Sequence, residues 1–190
     1  FSLRDAVKAE GLVPPSFNVS VATFVPKPHT PFQWCAQDGI EDIVRKQGIL
    51  KQTLRAKSVN LSWHDPEMST VEGLLARGDR RIARLVHRAW ASGARFDSWS
   101  EHFDFQRWMS AAGDVGIDPG FFLYRKRGGD EVFPWDHLDF GVDREFLRAE
   151  YDRATRGEVT GDCRWTGCAD CGVCRNLGVE PSLKGAGTDA

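Results

Sequence analysis

Two stretches of this chain carry the alternation of strands, and a helical pattern lies between them. In the first, Phe17, Val19, Val21 and Thr23 alternate with Asn18, Ser20, Ala22 and Phe24. Both faces have apolar character, which predicts a strand buried on both sides. "VPKPHTPFQW" follows. Its prolines at 26, 28 and 31 exclude helix and central strand, so a rigid loop is expected at the strand's C-terminal end. Residues 38–56 then set Ile40, Ile43, Val44, Gln47, Leu50 and Leu54 along one helical face. Val59, Leu61 and Trp63 alternate in the second strand. Strand, loop, helix and strand make a βαβ unit, so the strands must be parallel and the fold class is α/β. Two parallel strands do not close a core, and the remaining strands are expected upstream of Phe1.

After Pro66 the periodicity becomes helical, over 67–77, 79–92, 104–115 and 143–156. Asp118-Pro119 opens a short turn, and Asp143 and Gly157 read as cap and stop of the last helix. A further helix end occupies residues 1–10 and stops at Gly11. The tail 177–190 is small, polar and Gly-rich, and is expected to be flexible. The organisation is therefore 1–64, 65–157, 158–176 and 177–190. A hydrophobic content of 41% suffices for one core. A net charge of -2 gives no global attraction to nucleic acid or anionic membrane. No apolar run approaches the ~20 residues of a membrane span, and the sequence opens on Phe1 with no initiator Met and no basic–apolar–small signal pattern. That start suggests a fragment or processed product. Four of the five cysteines are clustered, which argues against dispersed disulfides and for a reducing, cytoplasmic setting.

That cluster is Cys163-x4-Cys168-x2-Cys171-x2-Cys174. Four thiolates suit a tetrahedral zinc, for which C-x2-C pairs are the usual knuckles. They equally suit an iron–sulfur cube, since C-x2-C-x2-C is a ferredoxin-type run and Cys163 can complete the ligand set. The spacing favours metal over two adjacent disulfides and leaves the metal open. Gly167 and Gly172 supply the turns that such wrapping needs.

Three segments place a histidine among carboxylates and aromatics: His64, Asp65 and Glu67; Glu101, His102 and Asp104; Asp136, His137 and Asp139. Each could tune a proton carrier or contribute to a shared metal site. The plainer expectation is that they cap helices and tie loops, with Asp65 and Asp104 as natural caps. Arg77, Arg80, Arg81 and Arg84 recur at helical spacing, and Arg125-Lys126-Arg127 precedes two glycines. Both read first as solvated basic patches and second as phosphate or RNA contacts.

"VSVATFVPKPHTPFQW", "NLSWHDPEMSTVEGLLARGDRR", "FDSWSEHFDFQRW", "PWDHLDFGV" and "DCRWTGCADCGVC" together resemble the C-terminal part of a family of bacterial radical SAM proteins. Its members commonly carry an N-terminal cobalamin-binding domain. "FVPKPHTP" is also similar to a Phe-x-Pro-x-Pro-x-Thr-Pro stretch on a late barrel strand of radical SAM methylthiotransferases. The resemblance implies the last strands of a partial, TIM-like β/α barrel, then a mostly helical extension and the cysteine-rich metal loop. It implies that His29, Thr30 and Gln33 face the cofactor cleft, and that the four cysteines hold an auxiliary 4Fe-4S cluster or a structural zinc. S-adenosylmethionine, and cobalamin where retained, would bind the longer protein. The C-x3-C-x2-C loop of such enzymes is absent here, so this stretch alone would be inactive and its first partner would be the rest of its own chain. The substrate is left open, RNA among the candidates. The rival expectation is a zinc-stapled module that binds RNA or protein without catalysis.

Overall fold

The computed structural model describes residues 2–13 and 15–180, so residues 181–190 of the expected flexible tail lie outside the described part. After α1 (Ser2–Ala9), β1 (Phe17–Val21) pairs in parallel with β2 (Val59–Trp63), in register from Phe17 opposite Val59 to Val21 opposite Trp63. The crossover is α2 (Ile40–Thr53). These are the two strands among the described residues. The parallel βαβ unit is as expected, but burial on both faces is not. Along each strand half-buried and exposed residues alternate, and the outer face is polar enough for Asn60 to donate to the Asn18 side chain at 2.9 Å. The first strand also stops at Val21, where the pairing with β2 ends. The apolar face of α2 is thinly covered: Ile43 is buried, whereas Val44 is 54% exposed.

The helical continuation builds the larger core. α3 (Pro66–Arg77), α4 (Ile82–Ala91), α5 (Phe105–Asp114) and α6 (Pro119–Leu123) bury Leu74, Leu85, Ala89, Trp108, Ala111, Phe122 and Leu123 together. Full burial of one such leucine is worth about 1.5–3 kcal/mol. The ends of three of these helices are fixed by the residues that the sequence marks. The Asp65 carboxylate accepts from the Glu67 and Met68 amides, Asp104 from Arg107, and Asp118 from Gly120.

A second, aromatic core joins the proline-rich loop to α7 (Arg144–Thr155). Trp34 packs with Phe133, Trp135 and Leu147, with Val142 and Tyr151 alongside. Backbone and amide bonds lock this loop in place. Arg127 N–H donates to the Trp34 carbonyl at 2.9 Å, Gln37 N–H to Leu123 at 2.8 Å, and the Gln37 amide to Ser69 at 2.9 Å. The segment before Pro66 and the helices after it thus share buried surface. Two short helices, α8 (Cys163–Thr166) and α9 (Val173–Leu177), occur where only a loop was expected. Among the described residues no helix is long and apolar enough to cross a membrane.

Candidate functional site

The proline-rich loop faces the segment 125–143, and successive loop residues wall three neighbouring cavities. Pro31 lines the first, His29 the second and Pro28 the third.

The first cavity, of about 470 Å³, is lined by all four clustered cysteines with Pro31, Val142, Phe146 and Leu147. Gly167 and Gly172 turn the chain around it at φ 91° and 89°, as the spacing requires. Asp170 N–H points at Cys168 Sγ, 3.3 Å away, the kind of contact that balances ligand charge around a metal. Asp162 caps α8 and pairs with Arg164, whose hydrogen bonds hold its carboxyl down at about 2. The segment docks on residues 141–143. Asp143 N–H donates to the Cys171 carbonyl at 2.9 Å, Arg175 pairs with Asp143 at 2.6 Å, and Asn176 donates to Gly141 O and Asp143 Oδ1, both at 2.9 Å. Asp143 therefore does not cap α7 with its side chain as expected; its carboxylate is turned to the cysteine segment instead.

All five cysteines are free thiols, so the paired-disulfide alternative is not realised. Among the described residues no three His, Cys, Asp or Glu side chains gather round a single-ion position. A zinc held at about 2.3 Å from each sulfur would draw the four to within roughly 4 Å of one another. A four-iron cube is held by thiolates set further apart, at its corners. The four cysteines line this one cavity, and their sulfurs are the donors that either group would take.

The second cavity, about 400 Å³, is polar. His29, Gln33, Asp136, Asp139 and Arg144 line it, and Val142 and Leu147 separate it from the cysteines. His29 sits at φ 53°, uncommon outside glycine, and its Nε2 is buried without a partner. Its ring packs on Phe140, centroids 4.6 Å apart. Gln33 is locked by two donors to its Oε1, His29 N–H at 3.2 Å and the Trp135 indole at 2.8 Å. Arg144 pairs with Asp136 at 2.6 Å and donates to the Gly129 and Glu131 carbonyls. Thr30 does not line this cavity; its hydroxyl donates to the Lys27 carbonyl and closes the turn.

The third and largest, about 1020 Å³, lies between Pro28, the 78–81 turn and residues 132–138, and takes in His137. Behind it Arg77 and Arg127 are 1% and 4% exposed. Both were expected in solvated patches. They are buried because α6 and the Trp34–Phe133–Trp135 core close over them, and the Arg127 guanidinium lies 5.1 Å and 5.4 Å from the Trp135 and Phe133 ring centroids.

The three histidine boxes do not converge. His64 and Asp65 line a separate groove with Met68, Ser98 and Phe103, while Glu67, Glu101 and His102 are exposed. Asp65 and Asp104 are helix caps, as the plainer reading held. Asp136 and Asp139 do meet His29 and Gln33, but no shared metal site forms among the described residues. Arg144, Phe140 and Val142 were not foreseen in the site. Their only sequence signal is proximity to the third box, since the contacts span more than a hundred residues. Set against family models, curated proteins and solved structures, the chain matches none.

Proposed function

We propose that this chain is the closing part of a radical SAM enzyme, in which Cys163, Cys168, Cys171 and Cys174 hold an auxiliary iron–sulfur cluster beside a polar reaction chamber. One observation carries the reading. Four free thiols line one cavity, and Val142 and Leu147 wall both it and the polar cavity of His29, whose Nε2 is buried without a partner. Such a cluster would accept or deliver single electrons. The chain's own groups have simpler tasks. Val142 and Leu147 keep the wall between the two cavities apolar. His29 lines the chamber as its candidate proton donor or acceptor, and its ring is held by Phe140. Gln33, fixed at its oxygen by two donors, has its amide left to orient a bound group. The parallel βαβ unit, with its functional loop after the first strand, agrees with a barrel whose sites lie at the C-terminal strand ends.

The test uses the full-length protein purified without oxygen. Iron and sulfide bound at the four cysteines, with 5′-deoxyadenosine formed from S-adenosylmethionine, is the expected result. Stoichiometric zinc with no turnover would overturn the reading and leave a metal-stapled binding module.

A further inference from the structure

We propose that the 1020 Å³ cavity between Pro28, the 78–81 turn and residues 132–138 binds a nucleoside phosphate, with the phosphate at Arg80 and His137 and the nucleoside along the apolar wall.

The argument begins behind the cavity. Arg77 donates Nε–H to the Phe122 carbonyl at 2.9 Å, and both of its terminal nitrogens lack partners. Arg127 donates to the Arg77 carbonyl at 2.6 Å, and its Nε lacks one. Both guanidiniums are thus bonded to carbonyl oxygens, and no carboxylate pairs with either among the described residues. The nearby Glu131 is engaged in a two-pronged pair with Arg125. Two buried cations without a counter-ion are strongly unfavourable unless an anion compensates them. Burial first, and then the neighbouring Arg127, lower the Arg77 pKa to about 10.

A field of this kind, set in a low-dielectric core, is focused through the nearest opening. The third cavity is that opening. Gly78 and Asp79 follow Arg77 directly, and the Phe133 and Trp135 rings beneath Arg127 form part of the wall. Inside it, Arg81 is tied to Asp79, whereas the exposed Arg80 side chain has no hydrogen bond or ion pair among the described residues. With His137 at the rim, an anion meets donors and positive potential with one lining carboxylate, itself paired. The volume is many times that of a phosphate, and Pro28, Pro134, Trp135 and Leu138 supply a wall suited to a flat, weakly polar group. A free nucleotide and a nucleotide within an RNA strand present this same chemistry.

The experiment is equilibrium binding of AMP and of a six-nucleotide oligoadenylate to the intact protein, by calorimetry at low and moderate salt. Arg80→Glu and Leu138→Glu, both at exposed positions, should each weaken binding at least tenfold. Arg45→Ala, on the distant α2 surface, should leave it unchanged. An oligomer that binds much more tightly than AMP, with a steep salt dependence, assigns the site to a strand; equal affinities assign it to the free nucleotide. Either outcome supports the proposal. It is overturned if neither probe binds at millimolar concentration. It is equally overturned if inorganic phosphate binds as well as AMP, or if both glutamate variants, shown folded by circular dichroism, bind like the parent. Metal content plays no part in this readout, so its failure would leave the cluster proposal standing.

Discussion

The α3–α6 core and the loop-built seam beside it are held together by different physics. In the helical core, aspartates cap the helices and leucines fill the interior. The seam buries arginines and indoles, and His29, Trp34, Arg77 and Arg127 retain unpartnered polar atoms there, against the Trp108 indole in the helical core. Its backbone takes positive φ at His29, as the cysteine segment does at Asp170 and the α4–α5 loop at Phe96. Unmatched polar groups and strained backbone persist where a structure is specified for something other than stability. The core supplies the rigid platform, and the seam carries the polar groups on which the proposed function rests.

That division is open to direct attack. Leu85→Ala should be the most damaging change, removing about 2–5 kcal/mol of stability in denaturant unfolding while iron content per folded chain stays constant. A fall in iron content would show that the two regions are not separable. Gly172→Ala tests the reverse. Its φ of 89° costs a side chain about 1–2 kcal/mol, and the new Cβ would lie 2.5 Å from the Asp143 carboxylate. Hydrogen exchange across 158–178 should accelerate and metal content drop, with the main thermal transition little moved. Asp65→Ala removes two cap bonds from α3 and should cost about 1 kcal/mol, read by thermal melting, without changing metal content.

The smallest effect concerns acid. The Arg125 hydrogen bonds hold the Glu131 carboxyl below its ordinary value. Its contribution is therefore present above the unfolded-state pKa and is lost as pH falls through the folded-state value. Glu131→Gln should be slightly less stable than the parent at pH 7, by less than about 1 kcal/mol for so accessible a pair, and the gap should close as acid protonates the folded-state carboxyl. A gap that widens in acid would contradict the assignment.

The core was legible because its causes are local. The helical stripe at Leu74 and Leu85, the Asp-Pro starts and the parallel βαβ unit follow from spacing alone. The four cysteines and their turning glycines were visible for the same reason. The seam was only half legible. Gln33 meets Trp135 across a hundred residues, and Arg77 looks like a solvated helix face until α6 covers it. Periodicity reports which face a helix buries; it does not report that an arginine without an anion is buried there. Asp143 shows the same limit, since its position marks a cap and its partners are Arg175 and Asn176.

The central claim is that the cysteine cavity is built around a multi-iron centre rather than a single ion. X-ray absorption at the iron and zinc edges of the anaerobically purified protein addresses it. An iron edge with sulfur neighbours and an iron–iron shell, both lost in Cys171→Ser, is the predicted result. A zinc edge with four sulfurs and no metal–metal shell would contradict it.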